Sequence, residues 1–158
     1  MLGELREYQV EELLKSAAVG RIGCHSEGIT YIVPVNFVYE NSAVYAHSAA
    51  GMKIDMMRQD PEVCFQVDNI RNMGNWQSVI AWGRFEEITD LDEKQCIMKK
   101  LIDRIMHLMN VETNHPSHGI TELESDIGTR VELIVYKIVL TQKTGRYEKR
   151  EPKRNSLL

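Results

Sequence analysis

The chain has 158 residues, of which 43% are hydrophobic and 27% are charged, the composition of an ordinary globular domain. Its net charge of −4 at pH 7 disfavours a polyanionic partner such as nucleic acid. No apolar run approaches the length of a membrane-spanning helix, and the charge-rich N-terminus is unlike a signal peptide. We therefore expect a cytoplasmic protein that binds neither nucleic acid nor membranes.

In the first third of the chain, the hydrophobic pattern predicts one helix and three strands. An apolar stripe among charges predicts an amphipathic helix within residues 4–17, and residues 19–24 form a short strand. Residues 29–39 alternate strictly between two faces, as one β-strand does, and a polar turn returns the chain into a partner strand at 43–47.

The rest of the chain continues with strands and two further helices. A short helix at residues 52–59 ends before Pro61, and Asp90 with Glu93 resembles a capping box at the start of a long helix over 91–109. Gly83 marks a bulge or bend in its strand. Three further strands are predicted at residues 63–67, 76–88 and 129–140.

The element order predicts a mainly β fold with peripheral helices. Six or seven strands joined by short connections favour an antiparallel β-barrel, with the long helix outside it. We predict one domain over residues 1–145, followed by a flexible tail over residues 146–158. Residues 141–158 contain six Lys or Arg and two Glu, but Tyr147 is their only aromatic residue, which disfavours nucleic-acid binding by the tail.

Neither the cysteines nor the histidines predict a metal site. The cysteines, at positions 24, 64 and 96, are odd in number and widely spaced, which also argues against a disulfide framework. His115 and His118 lie three residues apart in a predicted loop, but no third ligand stands beside them. We therefore predict no metal and interpret the thiols as structural.

A segment of small residues follows the strand at 43–47 and precedes a predicted helix. Its sequence, SAAGMK over residues 48–53, offers the Ser48 hydroxyl, a flexible Gly51 and the Lys53 charge. The free N–H groups of a helix N-terminus attract anions, so the segment suits a phosphate group. The alternative, an ordinary strand-to-helix turn with a surface lysine, is equally compatible with these residues alone.

Five blocks between residues 19 and 89 resemble the FMN-binding split-barrel family of pyridoxamine 5′-phosphate oxidase. They are VGRIG, ITYIVPVNFVYE, AVYAHSAAGMKIDMM, DPEVCFQVD and WQSVIAWGRFEEI, in this order. Within that family the chain is most similar to the branch of the nitroimidazole-resistance proteins. The resemblance implies a split β-barrel and a homodimer with FMN bound at the subunit interface.

The resemblance also implies which residues contact FMN. The strand that presents its backbone to the isoalloxazine ring contains Val33, Pro34, Val35 and Asn36. The segment for the ribityl chain and phosphate contains His47, Ser48, Ala49 and Lys53. The other residues implied to lie near the cofactor are Gln66, Trp76, Ser78 and Val79. Core packing is the alternative for Trp76 and Val79.

Two departures from the family bear on activity. Many relatives carry an Arg-Lys pair where this chain has Met52-Lys53, so one positive charge near the phosphate is missing. The C-terminus lacks a Trp and Arg segment for a substrate phosphate, which disfavours true pyridoxamine phosphate oxidase activity. No catalytic side chain is identified, because the cofactor would carry the redox chemistry.

The resulting hypothesis is an FMN-dependent oxidoreductase that reduces a small organic molecule such as a nitroaromatic. Its electrons would come from a donor such as a nicotinamide. The alternative is a non-enzymatic sensor or stress protein that binds flavin or haem on the same fold. Haem would need an axial ligand, for which His47, His115 and His118 are the candidates.

Overall fold

A computed structural model describes residues 1–109 and 132–150 of the chain. Within these ranges lie eight strands and three helices. In chain order they are β1 (Leu2–Glu4), α1 (Glu7–Ser16), β2 (Gly20–Ser26), β3 (Ile29–Val35), β4 (Val38–Glu40), β5 (Ala43–Ala49), α2 (Met52–Gln59), β6 (Glu62–Asn72), β7 (Asn75–Glu87), α3 (Leu91–Met109) and β8 (Leu133–Lys149).

All eight strands belong to one antiparallel sheet. Its order is β3-β2-β6-β7-β8-β5-β4, and β1 pairs with β8 beside this path. The main core lies on the inner side of the sheet and includes Phe37, Phe65 and Tyr136, with α1 and α2 packed against it. A smaller cluster joins Ile97 and Leu101 of α3 to the other side of β8. The predicted mainly β fold with peripheral helices is confirmed.

Two tight turns fix the register of the hairpins. Glu27 and Gly28 join β2 to β3 with φ of 50° and 78°, and Asn41 and Ser42 join β4 to β5 with φ of 51° and 58°. Two-residue loops with positive φ at both positions match the right-handed twist of the strands they connect. The hairpin registers Ser26↔Ile29 and Glu40↔Ala43 follow from these turns.

Gly83 lies at a bulge, as the sequence predicts. The register of β7 against β8 shifts between Trp82 and Gly83, which leaves Thr141 without an opposite residue. A Cβ atom on Gly83 would lie 2.4 Å from the carbonyl oxygen of Val139. The bend therefore depends on a close backbone approach that only glycine permits.

Several predicted boundaries differ from the structure. The strand predicted at 29–39 is divided, because β3 ends at Val35 and β4 begins at Val38. Residues 71–75, predicted as a loop, belong mainly to the β6–β7 hairpin. The last strand extends to Lys149 because it pairs with β7 and β1 along this length, so residues 146–149 are strand rather than tail. The predicted loop with His115 and His118, and residues 151–158 of the tail, lie outside the described residues.

Three features of the described residues concern membranes, metals and thiols. None of their helices is long and apolar enough to cross a membrane. No group of three His, Cys, Asp or Glu side chains in these ranges is arranged to hold a metal ion. The three cysteines are free thiols, buried at Cys24, half-buried at Cys64 and exposed at Cys96, so the structural interpretation does not extend to Cys96.

Candidate functional site

The predicted ring-binding segment lies on an edge strand. Among the described strands, β3 pairs only with β2, so one of its edges carries backbone groups that no strand satisfies. In an antiparallel pair every second residue directs its N–H and C=O away from the partner. The edge around Val33 to Val35 thus offers hydrogen bonds to a planar ligand, and Pro34 suits an edge because it has no N–H to pair.

The side chains of this segment alternate between the core and the outer face of the sheet. Val35 is buried in the main core, and Val33 packs partly against it. Pro34 and Asn36 point the other way and are exposed. The register places Pro34 beside Arg21, Arg21 beside Gln66, and Gln66 beside Ile80, so these residues form one row across four strands.

A polar network crosses the outer face next to Pro34. The Arg21 Nη1 group donates to Gln66 Oε1 at 3.1 Å and to Asp68 Oδ2 at 3.0 Å. Gln66 Nε2 donates to Asp68 Oδ2 at 2.8 Å and to Ser78 Oγ at 3.2 Å. The structure therefore brings together the predicted residues Gln66 and Ser78 and adds Arg21 and Asp68, which the sequence did not single out.

The predicted phosphate segment lies between β5 and α2. β5 ends at Ala49, and α2 begins at Met52, so the free N–H groups of a helix N-terminus follow the strand directly. Gly51 has φ of 169°, an extended conformation open to any residue, so the flexibility expected of this glycine is not used. The Met52 side chain is 53% exposed and carries no charge, which leaves Lys53 as the cation of the segment.

Lys53 and His47 are two half-buried basic side chains that interact electrostatically, and neither is paired with an Asp or Glu of the described residues. Burial lowers the pKa of Lys53, the nearby Cys24 thiol acts in the opposite direction, and no Asp or Glu among residues 1–109 and 132–150 acts on it. Burial also lowers the pKa of His47, and the Lys53 charge lowers it further. The buried Nδ1 atom of His47 has no hydrogen-bond partner within the described part of the chain. Buried polar groups without partners are costly, so this pair fits a bound anion such as a phosphate.

Of the remaining predicted residues, Ser48, Ala49 and Trp76 are at least partly exposed, whereas Val79 lies in the core. Ser48 is half-buried, and its hydroxyl donates to the carbonyl oxygen of Ala49, an exposed residue, at 2.9 Å. Trp76 is half-buried on the outer face and donates through Nε1 to Glu148 Oε2 at 3.3 Å. Val79 is fully buried in the main core, as the core-packing alternative expects.

Tyr136 is a further residue that the sequence did not single out. Its side chain is fully buried in the core, and burial raises the pKa of its hydroxyl above the ordinary value. The hydroxyl has no partner among the described residues. Tyr136 lies opposite Ala46, and Ala46 directly precedes His47. The segment predicted to bind the ribityl chain and phosphate therefore begins beside a second polar group without a partner among the described residues.

The chain belongs to the pyridoxamine 5′-phosphate oxidase family, whose model matches residues 6–146. The family predicted from the sequence blocks is therefore confirmed. An uncharacterized protein from Rhizobium meliloti (strain 1021) is 29% identical over 80 residues, which cover 51% of this chain and 53% of the relative. The chain thus spans about half the length of the curated relative that it matches.

Solved structures share the fold over nearly the whole chain. The crystal structure of a FAD-binding protein from Mesorhizobium loti is 27% identical, with a TM-score of 0.71 over 94% of this chain and 99% of that one. A candidate 5-nitroimidazole antibiotic resistance protein from Bacteroides thetaiotaomicron is 22% identical, with a TM-score of 0.68 over 93% and 87% of the two chains. The split-barrel fold predicted from the sequence is confirmed.

Proposed function

We propose that the protein binds FMN, with the isoalloxazine ring along Val33–Asn36 and the phosphate at His47–Lys53. The observation that carries this proposal is the placement of the half-buried Lys53 and His47 around the start of α2, where neither side chain is paired with an Asp or Glu of the described residues. Family membership supports a flavin, and the Mesorhizobium relative is described as FAD-binding. The unpaired edge of β3 supports a planar ligand at that place.

The residues present fit the phosphate of FMN despite the uncharged Met52. Lys53 would supply the charge, the α2 N-terminus its N–H groups, and Ser48 a hydroxyl that can rotate from Ala49. His47 would donate a hydrogen bond from its neutral ring, because its lowered pKa keeps it uncharged near neutral pH. When bound, the flavin would supply the electron transfer, while these groups hold and orient it.

We further propose that the protein is an oxidoreductase for a small organic molecule such as a nitroaromatic. The electron donor would be a small molecule such as a nicotinamide. A hydrogen-bonded network on the outer face joins Arg21, Gln66, Asp68 and Ser78 to one another. Because these side chains already hydrogen-bond each other, they suit positioning of a ligand rather than proton transfer. The test is to add nicotinamide donors to the FMN-bound chain. If none of them reduces the bound FMN, the result would instead support the sensor function.

Flavin binding is tested by titrating the purified chain with FMN, FAD and riboflavin while flavin fluorescence is recorded. We expect FMN to bind at least about tenfold more tightly than riboflavin, because a charge-assisted phosphate contact is worth about 1.5–3 kcal/mol. FAD should bind more weakly than FMN if the pocket closes around a terminal phosphate. Equal affinity for riboflavin and FMN would contradict the phosphate assignment, and no binding of any flavin would contradict the proposed function.

We propose a homodimer in which the outer face of the sheet is the subunit interface. Ile32, Ile80 and Trp82 are 65%, 40% and 41% exposed on this face. The register places Ile32 and Trp82 in one row with Gly23 and Cys64, next to the row that contains Ile80. A contiguous apolar surface of this kind fits a second copy of the chain related by two-fold symmetry.

The dimer is tested by sedimentation velocity of the wild type and of Trp82→Lys. We expect a dimer for the wild type and a monomer for the variant, since a buried unpaired charge at the interface opposes association. Leu91→Lys is the matched control, because Leu91 is 67% exposed on α3 and not on the sheet. A monomeric wild type, or dissociation by both variants alike, would contradict this interface.

A further inference from the structure

An ion pair lies on the same outer face of the sheet as the exposed Ile32, Ile80 and Trp82. Arg21 on β2 and Asp68 on β6 are joined at 3.0 Å, and their side chains are 46% and 24% exposed. Gln66 contacts both of them, and Ser78 on β7 contacts Gln66, so three strands hold the pair in place. An ion pair that becomes covered on association adds little stability by itself, which favours a role beyond packing.

The register places this pair beside the proposed ring-binding strand. Arg21 stands opposite Pro34 on one side and opposite Gln66 on the other. Its two hydrogen bonds both leave from Nη1, and within residues 1–109 and 132–150 its other guanidinium nitrogens have no partner. Arg21 is also the more exposed member of the ion pair, and it lies next to the exposed Pro34.

We infer that Arg21 and Asp68 set the redox potential of the bound flavin, an inference that rests on the proposed function. Uptake of two electrons and one proton leaves the flavin ring with a negative charge. A nearby cation stabilises that charge and a nearby anion destabilises it, so charges around the ring tune its potential. Arg21 favours the reduced flavin, and Asp68 both holds Arg21 in place and offsets part of its charge.

The two charges predict shifts of opposite sign. Arg21→Gln removes the cation and leaves Asp68 uncompensated, so the midpoint potential should fall. Asp68→Asn removes the anion and leaves the Arg21 charge unopposed, so the potential should rise. A network that only stabilised the fold would not produce opposite shifts from the two variants.

The experiment measures the midpoint potential of the FMN-loaded full chain against a reference dye during reduction by dithionite. For Arg21→Gln the affinity for reduced relative to oxidised FMN should fall about tenfold, which corresponds to a potential about 30 mV lower. Asp68→Asn should shift it in the other direction by a similar factor. Arg21→Lys keeps the charge and should stay within about threefold of the wild type.

The matched control is Arg84→Gln. Arg84 on β7 donates to Glu62 on β6 at 2.9 Å in an exposed ion pair on the same face. Along β7, Trp82 separates Arg84 from Ile80, which belongs to the row of Arg21. We expect its potential to equal that of the wild type. Unchanged potentials in both test variants, or shifts of the same sign, in a wild type that binds FMN would overturn this inference alone. A wild type that binds no FMN would overturn the proposed function and this inference with it.

Discussion

Lys53→Gln is expected to weaken FMN binding roughly 10- to 150-fold while leaving riboflavin binding unchanged. Lys53 is the charged residue of the segment at the start of α2, because the neighbouring Met52 carries no charge. The loss of one charge-assisted hydrogen bond to a phosphate costs about 1.5–3 kcal/mol. Riboflavin lacks the phosphate, so its affinity reports whether the rest of the site survives the substitution.

Fluorescence titration of both flavins against wild type and variant checks this result. Lys99→Gln is the matched control, since Lys99 is exposed on α3, and it should bind both flavins as the wild type does. An equal loss of affinity for FMN and riboflavin would contradict the assignment, because it would indicate a damaged site rather than a lost phosphate contact.

The wild type should also lose FMN affinity as the pH rises, earlier than an ordinary lysine would allow. In the site without a ligand, burial holds the pKa of Lys53 below the ordinary lysine value of 10.5, so its uncharged form appears at a lower pH. Phosphate binds the charged form, and binding above that pKa therefore requires proton uptake. The contribution of Lys53 to this slope should be absent in Lys53→Gln, so the ratio of wild-type to variant affinity should fall as the pH rises.

The sequence predicts those parts of the fold that depend on local patterns. The bounds of α2 agree with the prediction because Pro61 ends it, and the start of α3 agrees because Asp90 Oδ2 caps it by accepting from the Glu93 N–H at 2.9 Å. The alternation within β3 correctly separates the buried Val35 from the exposed Pro34. The two blocks of the candidate site were predicted from the family resemblance, which is readable because each block is continuous in sequence.

The parts that could not be predicted depend on contacts between distant segments. Arg21 and Asp68 are 47 positions apart, and only the register of β2 against β6 brings them together. The second half of β8 has polar residues on both faces, so no alternation marked it as strand, and pairing with β7 and β1 orders it instead. Tyr136 resembled any apolar strand residue until the fold showed that its buried hydroxyl has no partner.

The largest effect on stability is expected for Gly83→Ala. The added Cβ would lie 2.4 Å from the Val139 carbonyl oxygen and 2.9 Å from its carbon, and both are backbone atoms that a rotamer change cannot move. Relief requires that β7 and β8 separate at the bulge, where the register between Trp82 and Gly83 already shifts. We expect the free energy of unfolding to fall by about 3 kcal/mol.

Chemical denaturation of the wild type and of two variants measures this loss. Gly23→Ala is the matched control, since Gly23 also lies within a strand but its Cβ would meet the nearest atom, Cys64 Cβ, at an ordinary 3.7 Å. That variant should stay within about 0.5 kcal/mol of the wild type, because no atom must move. An equal destabilisation by both substitutions would contradict this explanation, because it would not depend on the close contact at Gly83. A loss confined to Gly83→Ala ties the bend of the barrel to one close contact between β7 and β8.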